Sequence, residues 1–185
     1  SGKRRADIVV VTKCKSELKP IECRIIEEDM HLVAHQQVFF TDVRYDELTP
    51  VFPAEGGSLH LADIRSGDAI LVLSGIAAPA GFVKEIKQYP GRVTFLQFPD
   101  HHEFTTQDIK KIQDTYNKLN ANRKHIIVTE KDAARLMNNN LVPDEWKKSL
   151  YYLPIRIKFD LDREPEFDEI ILKHIITFYR NNILR

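Results

Sequence analysis

An α/β fold is predicted, a three-layer α/β/α domain around a mostly parallel sheet, and three observations predict it. Short runs of apolar and β-branched residues recur along the chain, as in buried strands. The central runs each lead through a polar turn into a segment with helical apolar spacing. Strands alternating with helices are the pattern of parallel sheets covered on both faces. At 185 residues, one domain with a sizeable core is expected.

Ala6 to Lys13, centred on Ile8-Val9-Val10-Val11, reads as a buried strand. It starts almost at the first residue, and a central-type strand with nothing before it suggests a piece of something longer. Ser16 to Met30 mixes charged and apolar residues around Pro20. A helix start is expected there, with Ile21 to Ile26 either helix or short strand. Gln37 to Tyr45 is β-rich, and Pro50, Pro53, Gly56 and Gly57 break it into a loop. Leu59 to Ile64 reads as an edge strand.

Ala69 to Gly75 is the second clear buried strand, Gly75 to Gly81 its turn, and Phe82 to Gln88 a helix. Val93 to Phe98 is the third strand. Pro99 stops it, because proline cannot donate to a ladder. Thr105 or Thr106 can cap the next helix, Gln107 to Asn120, with Asp108 adding negative charge in its first turn. His125 to Thr129 is the fourth strand, and Glu130 to Leu136 opens a helix. Tyr151 to Ile157 is a last strand, edge or irregular because of Pro154. Phe167 to Asn181 is an amphipathic helix, with Phe167, Ile170, Ile171, His174, Ile175 and Phe178 at helical spacing. There is no internal repeat and no low-complexity tract.

Lys plus Arg and Asp plus Glu each number 27, so no long-range field draws the chain toward nucleic acid. Cys14 and Cys23 are the only cysteines, which fits reduced thiols in a cytosolic setting. No apolar run approaches the roughly 20 residues of a spanning helix, and no signal peptide is visible. Peripheral membrane contact needs only a local patch.

In a parallel sheet the carboxyl ends of the strands share one rim, where ligands bind. Three polar turns are expected to meet there: Ser74-Gly75-Ile76-Ala77, Asp100-His101-His102, and Thr129-Glu130-Lys131-Asp132. Thr12-Lys13, after the first strand, is expected to join them. Each has a bland reading: Gly75 relieves a tight turn, and Glu130 and Asp132 complement a helix N-terminus. Together they offer more. A carboxylate and a histidine make an acid–base pair, the same atoms bind metals, and Lys13 and Lys131 can meet a phosphate. There is no G-x-x-x-x-G-K-[ST] loop, no G-x-S-x-G elbow, no Gly-rich dinucleotide fingerprint and no structural-zinc spacing. A complete nucleotide site is therefore not expected within these residues.

Five blocks occur in order: Arg5 to Cys14, Val38-Phe39-Phe40-Thr41, Ser74-Gly75-Ile76-Ala77-x-Pro79-x-x-Phe82, Phe98-x-Asp100-His101-His102-x-Phe104, and Val128 to Ala133. This set resembles the tetraacyldisaccharide 4'-kinases, the lipid A 4'-kinases. The resemblance runs from Arg5 to about Leu136, with Tyr151 onward fitting the family's last strand and helix. It implies a two-lobed, P-loop-NTPase-like or Rossmann-like kinase that moves the γ-phosphate of ATP, with magnesium, to the 4'-hydroxyl of a lipid A disaccharide precursor. It also implies work at the cytoplasmic face of the bacterial inner membrane. The family's phosphate loop, magnesium-binding acidic pair and membrane-contacting segment lie upstream of the Arg5 block. On this reading residues 1–185 are one domain, the C-terminal lobe, inactive alone, with its partner the missing N-terminal lobe. The strand at 6–13 is a candidate member of that N-terminal lobe.

The resemblance implies that His101 is half of a base dyad on the sugar hydroxyl, its Asp partner being upstream. His102 stands where the family also accepts Gln. Arg5 matches a family arginine near the nucleotide side, and Thr12-Lys13 resembles a base-recognition turn. Ser74, Gly75, Asp100, Thr129, Glu130, Lys131 and Asp132 are expected to shape the cleft, and none is expected to hold a metal. Many members carry Arg or His where this chain has Ala78, which weighs against a phosphate role for that turn. Two other readings compete. Asp-His-His at a strand end also marks a class of metal-dependent phosphoesterases, which need further carboxylates. A non-catalytic nucleotide- or partner-binding module is the other. A self-sufficient module would show a polar surface, whereas part of a larger enzyme would show an exposed apolar face.

Overall fold

The computed structural model describes residues 5–57 and 59–183. In chain order the elements are β1 (Ile8–Val11), α1 (Pro20–Asp29), β2 (Gln37–Tyr45), β3 (Thr49–Pro50), β4 (Ala69–Ser74), α2 (Ala80–Ile86), β5 (Arg92–Gln97), α3 (Thr106–Lys118), β6 (Lys124–Val128), α4 (Glu130–Met137), α5 (Asp144–Lys147), β7 (Leu150–Tyr152), β8 (Ile155–Phe159) and α6 (Glu164–Ile183). The α/β class expected from the alternation is observed. The strands form two sheets, ordered β1-β2-β8 and β3-β7-β6-β4-β5. Two compact units result, one made of residues up to Arg44 together with those from Arg156 onward, the other of Tyr45–Ile155.

In the first unit, β1 pairs parallel with β2, from Ile8 opposite Gln37 to Val11 opposite Phe40. Leu18, Cys23, Val38 and Phe40 are its buried core, with Val11, Cys14, Ile26 and Met30 packed against them. The segment around Pro20 is a helix. Pro20 sits in its first turn, where a missing N–H is harmless, and the Glu22 carboxylate accepts the Lys19 N–H at 2.9 Å. α6 is anchored at its start. Phe167 packs on Phe39 and Phe159 at 5.2 and 4.9 Å, and the Arg163 guanidinium lies 4.6 Å over Phe39. The helical stripe expected to be covered is covered only this far. From Leu172 on, Ile175, Ile176, Phe178 and Tyr179 are exposed.

In the second unit, β7, β6, β4 and β5 run parallel, and β3 adds an antiparallel edge. β4 is buried along its whole length. Alternation sends its side chains to opposite faces. Leu71 and Leu73 join Ile126, Val128, Phe104, Ile112, Leu136 and Trp146, beneath α3, α4 and α5. Ile70 and Val72 join Ile127, Phe82, Ile86 and Leu153, on the side of α2. Helices thus cover both faces.

Three expectations need correction. The strands do not share one sheet. Leu59 to Ile64 is no edge strand: a 3-10 turn at Leu61–Asp63 presses Leu59, Leu61 and Ile64 into the core. Tyr151 to Ile157 is two strands, split at Leu153-Pro154 and belonging to different sheets. Pro154 has no N–H to continue the ladder, so the chain leaves one sheet there and enters the other.

Candidate functional site

The rim of the five-stranded sheet is built by the turns after β4, β5 and β6. β1 belongs to the other sheet, so Thr12 and Lys13 are not among the turns of this rim. Both are exposed, as is Arg5, and Lys13 has a left-handed φ of 59°.

Asp132 organises the rim from beneath. It is fully buried, and its Oδ2 accepts the Gly75 N–H at 3.0 Å and the Thr129 hydroxyl at 2.6 Å. Its Oδ1 accepts from Arg135 Nη1 at 3.1 Å. Thr129 in turn caps α4, its Oγ1 accepting the Asp132 N–H at 3.3 Å. Gly75 has no room for a side chain: an added Cβ would lie 3.0 Å from Asp132 Oδ1 and 3.1 Å from the Pro99 carbonyl. Ser74 is buried, with no hydrogen-bond partner for its hydroxyl among the described residues. Glu130 is exposed and accepts the Ile155 N–H at 3.2 Å.

The loop after β5 sends its two histidines to different places. Phe98 N–H reaches the Ser74 carbonyl at 2.8 Å, and Pro99 then ends the ladder. Asp100 Oδ1 accepts the His101 N–H at 3.0 Å, and His101 takes a left-handed φ of 57°. Its side chain is 73% exposed, with Nε2 3.8 Å from Asp100 Oδ2. His102 turns inward. Its Nε2 lies 2.9 Å from Asp108 Oδ2, and its ring stacks on Phe98 and meets Phe104 edge-on. Asp108 also accepts the Thr105 N–H and hydroxyl at 2.8 and 2.6 Å. Burial pushes the Asp108 carboxyl up, but the Thr105 and His102 hydrogen bonds outweigh it and hold the group below its ordinary value.

His101 opens onto a groove of about 670 Å³, lined also by Glu103, Lys131, Ala134, Arg135, Asn138, Asn139 and Asn140. Lys131, Ala134, Arg135 and Asn138 are spaced i, i+3, i+4, i+7, so they share one face of α4 and its C-cap. Asp132, Ala133 and Leu136 face the core. The Arg135 charge is offset by Asp132 and by Glu103 at 3.7 Å. Lys131 is exposed and makes no ion pair among the described residues. Asn139 donates to the Phe104 carbonyl at 2.8 Å, tying the end of α4 to the histidine loop. The structure thus brings Ser74, Gly75, Asp100, His101, Thr129, Lys131 and Asp132 to one rim. Sequence reasoning missed Arg135 and the three asparagines. Counting helical steps from Lys131 finds Arg135 and Asn138, whereas nothing in the local pattern marks Asn139 and Asn140.

Among the described residues no three His, Cys, Asp or Glu side chains converge to hold a metal ion.

A model of the family described as tetraacyldisaccharide-1-P 4'-kinase, LpxK, matches residues 1–176. The chain is similar to the tetraacyldisaccharide 4'-kinase of Parabacteroides distasonis, 49% identical over 185 residues that cover all of this chain and 50% of the relative. It is 38% identical to that of Bacteroides thetaiotaomicron, over 98% of this chain and 48% of the relative. The chain spans about half the length of the curated relatives it matches. Among solved structures it is similar in fold to LpxK from Aquifex aeolicus crystallised with ATP. The TM-score is 0.53 at 18% identity, over 92% of this chain and 43% of that one. With this family match over nearly its whole length and these relatives, the chain belongs to the tetraacyldisaccharide-1-P 4'-kinase family.

Proposed function

We propose that this chain is the part of a tetraacyldisaccharide 4'-kinase that supplies the acceptor side of the active site, with His101 as general base. The exposure of His101 on a pinned, left-handed turn, at the mouth of a polar groove, carries this reading. A sugar hydroxyl is a poor nucleophile at neutral pH. The His101 imidazole takes its proton as the oxygen forms a bond to the γ-phosphorus of ATP and the bond to the ADP oxygen breaks. Such help is worth about 10²–10⁴ in rate. Asp100 holds the His101 backbone, and Asp132, Gly75 and Thr129 hold the strand ends on either side. His102 serves the loop, not the substrate.

ATP, and the magnesium that accompanies it in the family, are assigned to the rest of the enzyme, because this sequence carries no phosphate loop. That remainder is also the proposed cover for the exposed α6 residues Leu172, Ile175, Ile176 and Tyr179. Arg5, Thr12 and Lys13 are proposed to face the nucleotide. No helix among the described residues is long and apolar enough to cross a membrane. Work at the cytoplasmic face of the inner membrane is proposed through peripheral contact made mainly by the remainder. ATP-dependent phosphorylation of a tetraacyldisaccharide 1-phosphate tests the reading. Turnover by the full-length kinase and none by the chain alone is expected, and turnover by the chain alone would overturn the division of labour.

A further inference from the structure

The groove beside His101 has a chemistry of its own. Seven of its eight lining residues carry polar side chains, an imidazole, two cations, one carboxylate and three carboxamides, and Ala134 is the eighth. Hydroxyls and a phosphate find hydrogen-bonding and charged partners among these groups. The α4 face runs about 12 Å by helical rise from the first turn to the asparagines. Arg135 is held by Asp132 and Glu103 and so contributes rigidity more than free charge. Lys131 is the groove cation left without an ion pair among the described residues. Asn140 is exposed and presents an amide at the far end.

We infer that this groove is the site of the acceptor's phosphorylated disaccharide head, and that Lys131 recognises the phosphate the acceptor already carries. The inference rests on the kinase reading above, since it takes His101 to mark the reacting end of the sugar. The acceptor named by the family description bears a 1-phosphate, and ATP bears phosphates too. The shared position of Lys131 with His101, the acceptor's base, in one groove favours the acceptor phosphate. Asn138 and Asn140, on the same groove wall beyond Lys131, are assigned to the sugar hydroxyls.

Steady-state kinetics on the full-length kinase separate these cases, using acceptor with and without its 1-phosphate. Lys131→Ala is expected to raise KM for the 1-phosphorylated acceptor about tenfold, the scale of one charge-assisted hydrogen bond. KM for ATP is expected to stay unchanged, as is KM for the dephosphorylated acceptor, and Lys131→Arg is expected to restore most of the loss. A rise in KM for ATP instead would assign Lys131 to the nucleotide and overturn the inference. So would an equal effect on both acceptors, or no effect on either. Failure of the kinase reading itself shows differently, as a wild-type enzyme that phosphorylates neither acceptor.

Discussion

The Asp132 carboxylate accepts the Gly75 N–H at 3.0 Å across 57 positions of sequence, tying the end of β4 to the first turn of α4. Three donors converge on this one buried group, from Gly75, Thr129 and Arg135. Asp132→Ala would strand all of them. A loss of about 3 kcal/mol in unfolding free energy is expected, in the range for orphaned buried hydrogen-bonding groups. Urea denaturation of the chain reads it out, and a loss under about 1 kcal/mol would mean that the rim is held by other contacts.

Gly75 is tested by Gly75→Ala. The added methyl must push against Asp132 Oδ1 and the Pro99 carbonyl, both near 3 Å. A backbone carbonyl cannot swing aside as a flexible side chain can. A cost of about 1–3 kcal/mol is expected, as for overpacking elsewhere. The Pro99 to His102 turn should move with it, so kcat of the full-length kinase should fall as well. Unchanged stability and activity would show that the turn has slack.

His101 and His102 should part company under the same substitution. His102→Ala removes the Asp108 hydrogen bond and the stack on Phe98. A stability loss of about 1–2 kcal/mol is expected. His101→Ala, at an exposed position, should cost within about 0.5 kcal/mol. Thermal unfolding of the two variants decides this, and the reverse order would overturn the assignment of roles.

Much of this was legible in the sequence, for reasons that differ by element. β4 and β6 were legible because buried parallel strands read as unbroken apolar runs. The capped start of α3 was legible because Thr105 and Asp108 have the spacing of a capping box. The separation of β1 from the main sheet was not, since an isolated Val-rich run does not say which neighbour it pairs with. Nor was the break at Pro154, where one run supplies strands to two sheets. α5 went unseen because four residues around Trp146 are too few to show a helical period. At the site, Asp100-His101-His102 was legible as a polar turn at the end of a strand, and the structure places it after β5. Which histidine faces outward depends on the left-handed turn at His101, and sequence spacing carries no sign of that.

His125 gives the second unit a pH dependence. It is buried beside Asp68 at 3.7 Å, with Arg123 also reaching Asp68 at 3.5 Å and Tyr151 against its ring. Burial pushes the imidazole's pKa down. Asp68 opposes that and Arg123 adds to it, leaving the pKa below the ordinary value. The folded state thus binds this proton less readily than the unfolded one. The stabilising contribution is full above about pH 6.5, the unfolded value, and is withdrawn as pH falls through the lower folded-state value. Urea midpoints measured between pH 8 and 5 should decline, and His125→Gln should flatten that decline. An equal slope in wild type and variant would place the effect elsewhere.

The most direct test of the account is the pair kcat and KM for His101→Ala in the full-length kinase, with a tetraacyldisaccharide 1-phosphate as acceptor. A general base acts in the transition state, so kcat should fall by about 10²–10⁴ while KM for either substrate changes little. A kcat equal to that of wild type would contradict the role of His101 and with it the acceptor side proposed for this chain.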